Sequence, residues 1–131
     1  MTDRALSFLY TIEQERAQKA NELARGDKDY KSAADKFPAM IMSCGLLQAL
    51  TFYKSKDKEL YDALAIWFRE KLGMAGDRDL LDYAVSLSVS EYRAATTEAL
   101  AFLTWLKRFA DAKYQEAQRQ QRRIEAEAEG M

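Results

Sequence analysis

A chain of 131 residues carries 20 Lys and Arg against 21 Asp and Glu, no histidine, one cysteine and one proline, for a net charge of -1. That length suits one domain with a single core, burying about two-thirds of the surface its unfolded chain exposes, and the shortage of helix breakers favours an all-α fold. Without histidine the chain lacks the usual general base of hydrolases, the acid/base pair of common metal-independent ribonucleases and the histidine ligands of helical di-iron bundles, and the single Cys44 can make neither an internal disulfide nor a cysteine zinc site.

In chain order the pattern predicts about five helices. The first runs from Thr2, a candidate N-cap, to Arg25, with Ala5, Phe8, Leu9, Ile12, Ala20 and Leu23 facing inward and Gly26 as its stop. A second helical region covers Asp29 to Tyr53. Pro38 lacks a backbone donor and disfavours helix at Phe37, which predicts a break or kink there, with the longer piece starting at Pro38. Met40, Ile41, Cys44, Leu47 and Leu50 form its apolar face, so Cys44 reads as a small buried hydrophobe. Gly45 would allow close approach of a neighbouring backbone. Ser55 and Asp57 can cap a third helix, whose Leu60, Leu64, Trp67, Phe68 and Leu72 keep helical spacing until Gly73. Asp77 or Asp79 caps a short fourth helix through Leu80, Leu81, Ala84, Val85 and Leu87. Asp77, Asp79 and Asp82 could be imagined around a magnesium ion, but anions at a helix start satisfy free N–H groups and the helix dipole, which is the simpler role.

The fifth helix carries the most information. Ser88 with Glu91 three residues on is a capping box, so the helix begins near Val89. Tyr92, Ala95, Ala99, Phe102, Leu106, Phe109 and Ala110 then recur at three- and four-residue steps, while Arg93, Lys107 and Arg108 point the other way. Trp105 falls at the edge of the stripe, where packing is the simplest role for it. Lys107 to Arg123 holds six cations and two anions, a local excess of +4, before Glu125, Glu127 and Glu129 reverse the sign. The expected organisation is a compact single-domain helical bundle over residues 1–114 and a polar, charged tail over 115–131 that can extend the helix without being buried. The longest apolar run, Ala63 to Phe68, is far short of the ~20 residues that span a bilayer, so no membrane association is expected. With no long apolar run near the amino terminus, the expected location is the cytoplasm. No cofactor or metal is expected, since no glycine-rich phosphate loop or ligand cluster is present.

Two blocks go beyond composition: Phe37-Pro38-Ala39-Met40-Ile41-Met42-Ser43-Cys44-Gly45-Leu46-Leu47-Gln48-Ala49-Leu50-Thr51-Phe52-Tyr53-Lys54-Ser55-Lys56, and Tyr92 through Ala110 with its Trp105-Leu106-Lys107-Arg108-Phe109-Ala110. Their order and separation resemble the small helical subunit of the type III-B CRISPR effector, the Cmr complex, over roughly Ala5 to Ala112. The resemblance implies a non-catalytic subunit of a guide-RNA-bearing antiviral machine, with other effector subunits, further copies of itself, guide RNA and target RNA as partners. It also implies an RNA-facing basic surface, for which Lys54, Arg93, Lys107 and Arg108 are the cations inside the matching blocks, neutralising phosphates without reading bases. The alternative from a different class is a helical protein–protein adaptor indifferent to RNA.

Overall fold

The computed structural model describes residues 11–130 and contains, among them, helices and turns with no strand. Six helices follow one another: α1 (Ile12–Leu23), α2 (Lys28–Cys44), α3 (Leu46–Lys56), α4 (Lys58–Lys71), α5 (Leu80–Val85) and α6 (Val89–Glu129). At 1.5 Å per residue, the 41 residues of α6 make a rod of about 60 Å. The other helices pack along its first half, with α1 and α2 lying against it most extensively.

The first expected helix is shorter within the described residues. Thr11 has extended backbone angles and caps α1 through a full capping box with Gln14, so helix does not pass through it. The proposed N-cap Thr2, with Ala5, Phe8 and Leu9, lies outside the described residues.

The expected break at Pro38 does not occur: α2 runs through it unbroken, and the chain turns at Gly45 instead. Two tertiary anchors hold the helix beside the proline. The Phe37 ring stacks on Tyr53 with centroids 3.7 Å apart, and the Tyr53 hydroxyl donates to the Ala33 carbonyl at 2.7 Å. Both aromatic rings are buried, and their packing offsets the hydrogen bond that proline removes. Gly45 has φ +88°, a conformation that side-chain-bearing residues rarely adopt, and this splits the second expected region into two helices. Close approach is not its role, because an added Cβ would meet only the Tyr92 hydroxyl at 3.8 Å. Gly45→Ala is therefore expected to cost about 1–3 kcal/mol through backbone strain alone, measured by urea denaturation. Cys44, at the end of the same helix, is exposed rather than buried, because the turn carries it away from the core.

The tight crossing lies at Gly26, where a Cβ would come within 2.8 Å of the Lys113 backbone carbonyl carbon. There the end of α1 meets the middle of α6. Lys113 exploits the contact: its Nζ donates to the carbonyls of Asn21 and Ala24, the latter at 2.8 Å. It thus satisfies carbonyls left free at the end of α1, which has no basic residue of its own in its last turn.

Two tyrosines perform the same service at helix starts. The Tyr61 hydroxyl accepts from Leu81 N at 2.8 Å at the start of α5. Asp79 stands at the N-cap there, yet its side chain makes no capping bond. The Tyr92 hydroxyl accepts from Leu47 N at 3.1 Å at the start of α3, where Gly45 has no side chain to offer. The core itself is made of Phe37, Leu46, Leu50, Leu60, Leu64, Trp67, Phe68, Leu80, Phe102, Leu103 and Leu106 among others, all essentially inaccessible.

Candidate nucleic-acid interface

The capping box at the start of α6 forms as its sequence requires. Glu91 N donates to Ser88 Oγ at 3.3 Å and Ser88 N donates to the Glu91 carboxylate at 3.0 Å, so the helix begins at Val89. These bonds also hold the Glu91 carboxyl below its usual pKa. From that start the stripe falls as spaced. Ala95, Ala99, Phe102, Leu103, Leu106 and Ala110 are buried, and Tyr92, Phe109 and Trp105 are half-buried against the core. Trp105 stacks on Phe109 with ring centroids 5.9 Å apart, which gives it a packing partner inside its own helix.

Arg93, Lys107 and Arg108 emerge on the opposite side, all exposed. Among the described residues none of the three makes an ion pair. Arg93 and Lys107 stand about 21 Å apart along the helix axis, the rise of fourteen residues. Between them Thr97 and Thr104 turn their hydroxyls back onto the Arg93 and Leu100 carbonyls, at 3.0 and 2.8 Å. The face therefore offers separated, solvated cations over a neutral floor. One turn beyond, Asp111 lies 3.6 Å from Lys31 of α2, so its charge is partly offset by a neighbouring helix.

Lys54 is placed differently. It is on α3, and its ammonium sits 2.9 Å from Asp79, which also accepts from Tyr61 Oη at 2.7 Å. The hydrogen bond to Asp79 raises the Lys54 pKa. Burial pushes the Asp79 carboxyl up, but the bonds from Tyr61 and Lys54 outweigh it and hold the group below its ordinary value. Three of the four cations singled out from the sequence thus share one face, and the fourth is fastened to a carboxylate elsewhere. The same pairing commits Asp79 of the Asp77, Asp79 and Asp82 group to protein partners. Among the described residues no three metal-ligating side chains gather.

The spacing of α6 gives no hint of its most elaborate polar contact. Glu98 flanks the buried stripe and accepts from Arg16 Nε at 2.7 Å and Nη2 at 2.8 Å, and from Trp67 Nε1 at 3.0 Å. Desolvation raises its carboxyl, the Arg16 and Trp67 bonds lower it, and the net position is below the usual carboxylate range. The cluster ties α1, α4 and α6 together where Trp67 stacks on Phe102, centroids 5.0 Å apart. Its only sequence-level signal is a charged residue beside an apolar stripe, which many surface positions share.

No helix among the described residues is long and apolar enough to cross a membrane. What the outer face of α6 can do chemically is attract and neutralise anions. A family profile described as CRISPR-associated protein (Cas_Cmr5) matches residues 4–113. A curated relative, the CRISPR system Cmr subunit Cmr5 of Thermus thermophilus, is 36% identical over 101 residues, which is 76% of this chain and 89% of the relative. The crystal structure of a CRISPR-associated Cmr5 family protein from the same organism superposes with a TM-score of 0.65 at 35% identity, covering 79% of this chain and 97% of that one. Matched over most of its length in sequence and in fold, the chain belongs to the Cmr5 family of CRISPR-associated proteins.

Proposed function

We propose that this chain is a non-catalytic structural subunit of a type III-B CRISPR effector, in which the outer face of α6 lies along the guide–target RNA and contributes Arg93, Lys107 and Arg108 to its phosphates. Family membership carries the reading, since the relative is named as a subunit of a CRISPR Cmr system. Two features of the molecule support it. Its charged outer face carries cations without intramolecular partners, and its half-buried carboxylate, Glu98, is spent on holding helices together. Lys54 joins the interface only by leaving Asp79, so it contributes less than the other three. In this role the protein works in the cytoplasm beside the other effector subunits and further copies of itself, without membrane or cofactor.

Lys107→Glu with Arg108→Glu changes two exposed positions, so stability is expected to move by less than about 0.5 kcal/mol per site. Target-RNA affinity of an effector reconstituted with this variant is expected to fall, and the salt slope of log affinity to shrink by about one per phosphate contact removed. The comparison is made at several salt concentrations, because free subunit offers few contacts and several copies on one strand multiply them. Equal affinities and equal salt slopes would instead favour an adaptor that holds neighbouring subunits without touching RNA.

A further inference from the structure

The two ends of α6 complement one another. At its start, α6, α5 and α3 leave an open groove of about 390 Å³ lined by Leu47, Ala84, Val85, Leu87, Val89 and Tyr92, with Arg93 at the rim. Val85 is 65% exposed and Val89 72%, uncommon values for valine on a folded domain. Arg93 has no ion pair among the described residues, and the nearby Glu91 is turned onto the Ser88 backbone. The rim is therefore apolar with one free cation.

At the other end, α6 continues past the bundle to Glu129 with its side chains almost all exposed. Ile124, 51% exposed, and Ala128 share one side of the helix, flanked by Glu125, Glu127 and Glu129. This tip is apolar and acidic where the groove is apolar and basic. It lies beyond residue 113, where the family match ends. The tip of one molecule cannot fill its own groove, because Val89 and Ile124 are thirty-five residues apart on one continuous helix, about 52 Å. Nor does α1 cover the groove. It packs on the side of α6 that carries Glu98 and Lys113, while Val89 and Tyr92 open toward α3 and α5.

The geometry points to a second copy of this chain as the occupant: the acidic tip Ile124–Glu129 of one copy docks in the Val85–Val89–Tyr92 groove of the next, its glutamates meeting Arg93. The contact is head-to-tail, so it leaves a free groove at one end and a free tip at the other and builds an open row rather than a closed dimer. One isoleucine and one alanine bury little surface, well under the ~800 Å² per partner of a standard stable interface, so the contact is weak and transient between free molecules. It gains strength where other subunits already hold copies side by side. Arg93 stands where this contact meets the RNA-facing side of α6, but neither Val89 nor Ile124 is among the RNA-facing cations, and the two readings fail separately.

The test uses two full-length variants at exposed positions, Val89→Glu to spoil the groove and Ile124→Glu to spoil the tip. In sedimentation velocity the unaltered chain is expected to grow with concentration without a fixed end point, while each variant stays monomeric. Mixed in equal amounts they are expected to give a one-to-one dimer and nothing larger, because only one intact groove meets one intact tip. With the Ile124→Glu chain labelled with nitrogen-15, adding unlabelled Val89→Glu chain is expected to shift the amides of Leu47 and residues 85–93. High salt or Glu127→Lys in the tip donor is expected to weaken both signals. A mixture that stays monomeric at millimolar concentration, association of either variant alone as a groove-to-groove pairing would give, or amide shifts confined to other surfaces overturns the proposal.

Discussion

Phe102→Ala is expected to lower the unfolding free energy by about 3–5 kcal/mol, a large part of what holds a domain of this size together. Phe102 is fully buried on α6, stacked on Trp67 of α4. Truncation removes a ring from the centre of the helix packing and leaves a cavity that the Trp67 indole, held at its nitrogen by Glu98, cannot move freely to fill. Urea titration followed by circular dichroism checks it. An unchanged midpoint would mean that α6 does not present this side of the helix to the core.

Glu98→Ala is expected to cost about 3 kcal/mol, because it strands two donors at once: the Arg16 guanidinium, whose side chain is 20% accessible, and the buried Trp67 N–H. The pH dependence follows from the direction of the Glu98 shift. Its folded pKa lies below the ordinary value, so its stabilisation is complete above the usual glutamate pKa of about 4.3 and is lost as pH falls through the lower, folded value. The melting-temperature difference between the unaltered protein and Glu98→Ala should therefore be largest near neutrality and narrow as pH drops below about 4. A gap that stayed constant down to acid pH would show that hydrogen bonding by the neutral acid, not the ion pair, accounts for the effect.

Both residues illustrate how far the sequence could be read. Periodicity located Phe102 correctly, because burial on a helix repeats every three or four residues and leaves that trace in the chain. The capping box placed the start of α6 at Val89 for the same reason: a cap is local, and Ser88 and Glu91 are three positions apart. What escaped was non-local. Glu98 meets Arg16 across 82 residues and Trp67 across 31, and no spacing rule links them. Pro38 was given too much weight, since the penalty for a proline inside a helix is set against tertiary contacts such as the Phe37–Tyr53 stack that a local rule does not see. Gly45 was assigned the wrong freedom, close approach instead of a positive φ, and Gly26 was read as a stop when it is also the point where two backbones touch. Of the four cations, sequence separated three by helical phase; Lys54 looked equivalent until Asp79, twenty-five residues away, appeared beside it.

Borrowed caps also bear on how the chain comes off the ribosome. The carbonyls ending α1 find their donor only in Lys113, 92 and 89 residues later, and the starts of α3 and α5 rely on hydroxyls from α6 and α4. Early helices synthesised first thus stay incomplete, their apolar sides uncovered, until the last helix has emerged. Such a chain cannot fold piece by piece from its amino terminus; it must wait for nearly all of its length and then close in one cooperative step. The nascent protein is a client for chaperones for most of its synthesis, and a premature stop before Lys113 leaves nothing that can fold.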